Sequence, residues 1–316
     1  MALPRCRQLD FTEIPVIDIG PLLQGENTPG VTDAIDRACC DVGFFYLVGH
    51  GISASLVANM LEAGTRFFKL DAPDKLSLGL DASMRGYLPM YYRSQIDQSF
   101  SGTSHQEGFW MGFEFLDGSR HPLEQSNRWP NSMPWLKKSM TAYHAAIEKL
   151  AGCLGQALGY AMGQDDDFYQ RNFARPTSRL KINHYPPQDN PQREDSIGVV
   201  PHSDSGAFTI LWQDDNGGLE VRSRSGEWVG APPLSGSFVV NIGDIMQYWS
   251  NGRFSSTKHR VVNRNGVDRY SIPYFVNPSA DVEITALNGE SSFEPFNYGA
   301  YQLQRWKDFF PVDIRD

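Results

Sequence analysis

The sequence contains little cysteine, and its few cysteines form none of the usual cysteine motifs. Four cysteines are spread over 316 residues, and the close pair, Cys39 and Cys40, is adjacent. Without a CxxC pair, a cysteine-ligated zinc site is disfavoured, and four scattered thiols are too few for a disulfide scaffold. Because free thiols are typical of a reducing compartment, we predict a cytoplasmic protein.

Long apolar runs and an excess of positive charge are also missing. No stretch approaches the roughly 18 apolar residues of a membrane span, and the amino terminus lacks the apolar core of about 7–15 residues found in secretory signals. The formal net charge is −9, and no basic stripe is present that could neutralise phosphates. The sequence therefore predicts neither a membrane nor a nucleic-acid partner, and a monomer is the default expectation.

The first part of the chain is rich in helical patterns. Short apolar runs predict strands at 14–20 and 44–51. One segment has an amphipathic helical pattern, with Thr32 as a candidate N-cap and Gly43 as a stop, and Leu, Ala, Met and Phe recur at helical spacing in two further segments. The predicted helices cover 31–43, 53–70 and 133–163.

From about residue 178 the pattern changes to short β-type runs. Gly, Asn, Asp and Pro separate these runs, and no helical pattern lies between them, as in a sandwich or jelly roll. A closing helix is predicted at about 299–310. We expect a single domain over 1–316, with a helix-rich part to about 177 packed against a β core at about 178–285.

The stretch PHSDSG at 201–206 contains a candidate metal-binding pair. His202 and Asp204 are two residues apart, so on a strand their side chains would lie on the same face. A third ligand is available in His259, which begins the strand-like run HRVV. Two imidazoles and one carboxylate suit Fe(II) and leave positions open for other ligands. Catalytic zinc sites can use the same set, so residue type alone leaves both metals open.

Two more strand-like runs contain side chains suited to a dicarboxylate. Arg269 and Ser271 are again two residues apart, and arginine binds carboxylates in a bidentate manner. In RLKINHYPP, Asn183 and Tyr185 share one face and could donate hydrogen bonds to the same ligand. His184, between them, would point away from that face.

The order of these motifs along the chain resembles a known family. The segments IPVIDIG, GFFYLVGHGI, LKINHYPP, PHSDSGAFTILWQDDNGGLEV, NIGDIMQYWSNGRFSSTKHRV and RYSIPYF together resemble the Fe(II)/2-oxoglutarate-dependent dioxygenases of the isopenicillin N synthase-like family. The resemblance spans nearly the whole chain. It implies a mainly β fold with flanking helices (α+β), built on a double-stranded β-helix, or cupin-like jelly roll.

The resemblance also implies an activity. In such an enzyme 2-oxoglutarate and O₂ are converted to succinate and CO₂ while a small organic metabolite, often of secondary metabolism, is hydroxylated, desaturated or closed into a ring. Ascorbate is a candidate reductant. By this resemblance the iron ligands are His202, Asp204 and His259, and the 2-oxoglutarate site consists of Arg269, Ser271, Asn183 and Tyr185.

Aromatic segments outside these motifs are candidates for the substrate pocket. RGYLPMYYRSQ combines tyrosines with two arginines that could bind a substrate carboxylate, and GFWMGFEF alternates large apolar side chains. Core packing is the alternative for such an alternating strand. The candidate substrate residues are Arg85, Tyr87, Tyr91, Tyr92, Arg93, Phe109, Met111, Phe113, Phe208, Trp212 and Tyr274.

Three alternative functions remain open at this point. One is an oxidase or cyclase of the isopenicillin N synthase type, which has the same fold and does not use 2-oxoglutarate. A second is a non-catalytic jelly-roll binding module, although a pure binder would not need three converging metal ligands. The third is a zinc hydrolase, which would act without O₂.

Overall fold

A computed structural model of the chain describes residues 7–8, 14–26, 29–90, 103–187 and 196–309. Its α-helices are α1 (Gly20–Leu23), α2 (Pro29–Asp41), α3 (Ala54–Phe68), α4 (Ala72–Leu76), α5 (Pro134–Ala161), α6 (Phe168–Asn172), α7 (Asp244–Trp249) and α8 (Tyr298–Phe309). Its strands are β1 (Arg7–Gln8), β2 (Val16–Asp18), β3 (Phe44–Val48), β4 (Gly86–Leu88), β5 (Thr103–Ser104), β6 (Glu107–Gly112), β7 (Arg179–Tyr185), β8 (Ser196–Ile197), β9 (Val199–His202), β10 (Phe208–Gln213), β11 (Leu219–Arg222), β12 (Trp228–Gly230), β13 (Phe238–Ile242), β14 (His259–Val261), β15 (Arg269–Val276), β16 (Glu283–Ile284) and β17 (Phe296–Asn297).

The predicted helices are present, and local capping chemistry explains some of their ends. Ser53 caps α3 because its hydroxyl accepts a hydrogen bond from the Leu56 amide at 3.3 Å. The first predicted helix starts earlier than expected, at Pro29, which suits a first helical position. Thr32 therefore lies inside α2, and its assignment as N-cap was wrong. Gly43 follows α2 at a φ of 73°, a conformation that favours glycine.

Two sheets form the jelly-roll core. In the described part of the chain, the larger sheet has the strand order β2-β3-β13-β10-β15-β7-β6-β4, and the smaller sheet has the order β1-β12-β11-β14-β9. Four strands of the larger sheet come from the part of the chain before residue 177. The first part thus contributes strands to the β core, which corrects the expectation that this core lies within about 178–285.

Each face of the larger sheet has its own hydrophobic core. On one face, Phe45, Ile182 and Ile210 join the main cluster, to which α2, α3 and α5 contribute. On the other face, a smaller cluster that includes Phe44 and Val221 lies between the two sheets. Strands buried on both faces explain why so many of them read as continuous apolar runs.

No helix among the described residues is long and apolar enough to span a membrane.

Candidate active site

The three predicted metal ligands meet where β9 and β14 of the smaller sheet lie side by side. His202 ends β9, Asp204 follows in the adjoining turn, and His259 begins β14 directly opposite His202 in the antiparallel register. His202 Nε2 lies 3.6 Å from Asp204 Oδ1, and His259 Nε2 lies 3.8 Å from the same oxygen. One ligand atom from each residue lies within 4.8 Å of the others, so one cation could contact all three.

Both imidazoles are held in the tautomer that a metal requires. The Nδ1 of His202 donates to the Val200 carbonyl at 2.8 Å, and the Nδ1 of His259 donates to the Thr257 carbonyl at 3.2 Å. A carbonyl can only accept, so Nδ1 carries the proton and Nε2 offers its lone pair towards Asp204. Burial and the neighbouring His259 lower the pKa of His202, which favours the neutral ring that binds metals.

Asp204 divides its two oxygens between structure and ligation. Oδ2 accepts hydrogen bonds from Thr209 Oγ1 at 2.5 Å and from Asn241 Nδ2 at 2.7 Å. Oδ1 faces the two imidazoles. Burial would raise the pKa of this carboxyl group, but the two histidines and the two donors outweigh burial and lower the pKa. Asp204 is therefore ionised and oriented, and these ligands fit a divalent metal ion.

A second cluster lies on neighbouring strands of the larger sheet. Arg269 pairs with Tyr185 and Ser271 pairs with Asn183 across β15 and β7. Asn183 Nδ2 donates to Ser271 Oγ at 3.2 Å, and the Arg269 guanidinium lies 4.7 Å from the centre of the Tyr185 ring. The structure thus brings together all four residues predicted for 2-oxoglutarate.

Arg269 is the charged centre of this cluster and is almost fully buried. It donates to the Gly217 carbonyl and, at 3.3 Å, to Gln213 Oε1. Its Nη1 has no hydrogen-bond partner, and among the described residues no carboxylate forms a salt bridge with it. A buried guanidinium without an anion is costly. The cluster therefore fits the carboxylate of a ligand.

The metal ligands and the Arg269 cluster open into one cavity of about 140 Å³. The larger sheet forms much of its wall through β6, β7, β10 and β15, while β9, β11 and β14 of the smaller sheet and helix α8 also contribute to the wall. Away from the metal ligands, the described lining residues include Trp110, Lys181, Phe275, Asn277, Gln302 and Trp306.

The eight predicted substrate residues that the structure describes do not line this cavity, which corrects that part of the sequence interpretation. Most of them face the helices rather than the cavity. Tyr274, for example, donates from its hydroxyl to the Glu148 carboxylate on α5. The main hydrophobic cluster contains Tyr87, Phe109, Met111, Phe208 and Tyr274, and Trp212 packs against it.

Two further candidates are also structural. The Arg85 guanidinium is fully buried and donates to the backbone carbonyls of Ser83, Leu123 and Phe113. The Phe113 ring packs against Phe115 and His144, at centroid distances of 5.2 and 6.0 Å. Neither lines the cavity.

Tyr91, Tyr92 and Arg93 lie outside the described residues.

The error has a simple cause in strand geometry. All residues of β6 are buried, so apolar alternation does not reveal which face meets the cavity. Counting every second residue along the strands from Asn183 and Ser271 would have identified the face that meets the cavity. Lys181 lies two residues before Asn183, and Phe275 lies four residues after Ser271, so both share the cavity face. His184 lies on the opposite face as predicted, where it hydrogen-bonds with Glu107 and Asp268.

The sequence matches two family profiles and many known proteins. The 2OG-Fe(II) oxygenase superfamily matches residues 176–278, and the N-terminal domain of non-haem dioxygenases in morphine synthesis matches residues 14–133. A homoarginine-6-hydroxylase from Glycine max is 32% identical over 92% of this chain and 96% of that protein. The 2-oxoglutarate-dependent dioxygenase citB from Monascus ruber is 35% identical over 87% of this chain and 88% of that protein.

Solved structures of similar proteins agree with this assignment. A full-length Neurospora crassa protein, solved in complex with α-ketoglutarate, has a TM-score of 0.84 and 28% identity, with coverage of 95% of this chain and 98% of that one. JOX2 in complex with 2-oxoglutarate, Fe and JA has a TM-score of 0.78 and 27% identity, with coverage of 96% and 89%. This chain belongs to the 2OG-Fe(II) oxygenase superfamily and is a 2-oxoglutarate-dependent dioxygenase with a jelly-roll core.

Proposed function

We propose that His202, Asp204 and His259 hold the iron, that Arg269 and Ser271 bind the distal carboxylate of 2-oxoglutarate, and that the enzyme hydroxylates a small organic molecule in the adjoining cavity. The observation that carries the assignment is the buried, unpartnered Nη1 of Arg269 on the wall of the cavity that also contains the metal ligands. A dicarboxylate could bind Arg269 with one carboxylate and the metal ion with the other. The names of two relatives, homoarginine-6-hydroxylase and feruloyl CoA ortho-hydroxylase, support hydroxylation as the outcome.

The chain's own residues would position the co-substrate and keep water away. Arg269 supplies a charge and a free donor, and Ser271 supplies a hydroxyl beside it. Burial raises the pKa of Tyr185, so its hydroxyl stays protonated and can donate, while Asn183 orients Ser271. Leu211 and Val261 close the site with apolar surface. When bound, Fe(II) supplies the activation of O₂ that accompanies conversion of 2-oxoglutarate to succinate and CO₂.

The test replaces Arg269 and measures 2-oxoglutarate binding by calorimetry in anaerobic Fe(II)-loaded protein. Removing one partner of a buried charge pair costs roughly 2 kcal/mol or more, so we expect Arg269→Gln to weaken 2-oxoglutarate binding at least about 30-fold. Arg269→Lys should lose less affinity for 2-oxoglutarate, because lysine keeps the positive charge but lacks the paired N–H donors of the guanidinium. Iron content should stay unchanged in both variants.

His202→Ala is the complementary variant, since it should lose iron while the fold is retained. Unchanged 2-oxoglutarate affinity in Arg269→Gln would contradict the assignment of this residue. If the wild-type protein formed no succinate with any substrate tested but consumed O₂, a cyclase or oxidase independent of 2-oxoglutarate would replace the proposal. Hydrolytic activity without O₂ would instead favour the zinc enzyme.

We further infer a monomer that acts in the cytoplasm without a nucleic-acid partner, with ascorbate as a candidate reductant. The support is compositional: scattered cysteines and a net charge of −9 without a basic stripe. Light scattering on the purified chain tests whether it is a monomer. Turnover measured with and without ascorbate tests the role of ascorbate as reductant.

A further inference from the structure

The wall of the cavity formed by β6 and β7 carries two buried cations. Arg179 and Lys181 point from β7 to the same face as Asn183 and Tyr185. Opposite them in the antiparallel register, β6 presents Gly112 to Arg179 and Trp110 to Lys181.

Two glycines of β6 make room for these cations. A Cβ atom at Gly108 would lie 2.4 Å from Lys181 Cε, and a Cβ atom at Gly112 would lie 2.8 Å from Arg179 Nη1. Real Cβ atoms do not approach other atoms so closely, so both positions require glycine while the cations keep these places. The sequence EGFWMG of β6 is thus matched to the charged face of β7.

The two cations differ in how they are satisfied. The Arg179 guanidinium donates hydrogen bonds to four backbone carbonyls, those of Thr177, Ser178, Ser83 and Leu123. Lys181 is 5% exposed and has neither a hydrogen bond nor a salt bridge to any described residue. Its ammonium lies 4.8 Å from the centre of the Trp110 ring. Lys181 therefore has donors available for a ligand in the cavity.

The chemical setting of Lys181 favours an anion. Burial lowers its pKa to about 7, and a bound carboxylate would offset that cost. Lys181 lines the same cavity as the three metal ligands. Among the described lining residues, Asp204 is the one carboxylate, and it is committed to the metal. The described lining thus offers no acid to a cationic substrate group.

The charge balance leads to the same conclusion, and it rests on the proposed function. With Fe(II) and 2-oxoglutarate bound, the metal and Arg269 are balanced by Asp204 and the two carboxylates of the co-substrate. The positive charges of Arg179 and Lys181 remain without a counter-ion in the described lining. A substrate carboxylate would supply one.

The surface next to Lys181 is flat and apolar. The rings of Trp110 and Phe275 stack at a centroid distance of 5.5 Å and an angle of 16°. Trp306 lies on the same side, beneath the Arg179 guanidinium. We propose that the substrate is a small organic acid, whose carboxylate pairs with Lys181 and whose apolar body lies against Trp110 and Phe275.

The test compares acids with uncharged amides of the same shape. The probes are benzoate and benzamide, phenylacetate and phenylacetamide, and 3-phenylpropionate and 3-phenylpropanamide, each titrated calorimetrically into the full chain loaded anaerobically with Fe(II) and 2-oxoglutarate. Because hydrogen bonds to charged groups are the stronger ones, we expect at least one acid to bind about tenfold more tightly than its amide.

The variant Lys181→Met keeps the length of the side chain and removes its charge. It should weaken binding of that acid by about tenfold and leave the amide within about a factor of two, because only the acid uses the ammonium. Lys181→Arg should retain a preference for the acid. The matched control is Lys138→Met, at an exposed position on α5, which should bind both probes as the wild type does.

Equal affinity for acids and amides, or no measurable binding of any acid by the wild type, would overturn the inference. So would an undiminished preference for acids in Lys181→Met. If Lys181→Met lost 2-oxoglutarate binding, Lys181 would belong to the co-substrate site and the inference would also fail. A failure of the proposed function is distinguishable, because the wild type would then neither bind 2-oxoglutarate nor form succinate.

Discussion

At the scale of single residues, each metal ligand has one atom for the metal and one atom for the protein. His202 and His259 use Nδ1 to donate to carbonyls, and Asp204 uses Oδ2 to accept from Thr209 and Asn241. These bonds select the tautomer of each ring and the rotation of the carboxylate. The ligand residues could be predicted from the sequence, but their supporting groups could not, because Asn241 is distant from Asp204 along the chain.

The support of Asp204 can be tested by removing one hydroxyl. In Thr209→Val the side chain keeps its shape but loses the 2.5 Å hydrogen bond to Oδ2. We expect Fe(II) affinity to fall about tenfold, since loss of such a supporting group typically costs about 10–100-fold and Asn241 still holds the same oxygen. Anaerobic titration with Fe(II) measures the change.

Thr209→Ser provides the control because it restores a hydroxyl at the same position. Its iron affinity should lie close to that of the wild type. If Thr209→Val bound iron as tightly as the wild type, Asn241 alone would be sufficient to orient Asp204.

At the scale of elements, the sequence predicted which strands exist better than which faces they present. The residue pairs on β7 and β15 were placed correctly because each pair contains polar side chains, which identify a functional face. The aromatic residues on β6 and β10 were placed on the wrong face because both faces of these strands are buried. Periodicity alone cannot distinguish a core face from a cavity face. Only the register of β6 against β7 shows that Trp110 lies beside Lys181.

The turn from β13 into α7 illustrates a constraint set by close approach. Gly243 has a φ of −100°, so backbone conformation alone does not require glycine. A Cβ there, however, would lie 2.3 Å from the Gly206 carbonyl oxygen and 3.0 Å from that of Asp204. The segment carrying the metal ligand therefore packs directly against this turn.

We expect Gly243→Ala to destabilise the protein by about 1–3 kcal/mol, the usual cost of overpacking. The added methyl group meets rigid backbone, so the turn and the metal-binding loop must separate. Urea unfolding of the apo-protein measures the loss.

Gly152→Ala, on α5, is the matched glycine control. A Cβ there would find its nearest neighbour at 3.6 Å, an ordinary contact. This variant should be neutral or gain up to about 1 kcal/mol from helix propensity. Equal stability of the two variants would show that the turn relaxes without cost.

At the scale of the whole molecule, a buried polar network joins elements that are far apart in sequence. Glu107 on β6 accepts hydrogen bonds from Lys75 at 2.7 Å, Tyr87 at 2.6 Å and His184 at 2.8 Å. His184 also bonds with Asp268, which precedes β15, at 2.7 Å. The sequence predicted that His184 faces away from the metal, but the network around it depends on the packing of α4 against the sheet and on the pairing of β4 with β6. Such long-range pairing is the part of the fold that local patterns do not encode.

This network should make stability depend on pH in a defined direction. Burial alone would lower the pKa of His184, but hydrogen bonds to Glu107 and Asp268 outweigh burial and raise the pKa above 6.5. Its stabilisation is therefore fully present below pH 6.5 and is lost as pH rises through the folded-state pKa. Burial would raise the pKa of Glu107, yet its three donors lower the pKa below 4.5, so its stabilisation is lost as pH falls through that lower value.

We therefore expect the difference in free energy of unfolding between wild type and His184→Gln to be largest between these two pKa values and to decline on either side. Urea unfolding at a series of pH values measures it. His50→Gln is the matched control, because burial lowers the pKa of His50 and any contribution from its titration must decline as pH falls. If the His184→Gln difference were constant with pH, or grew as pH rose, His184 would be neutral in the folded protein and the network would contain no ion pair at this position.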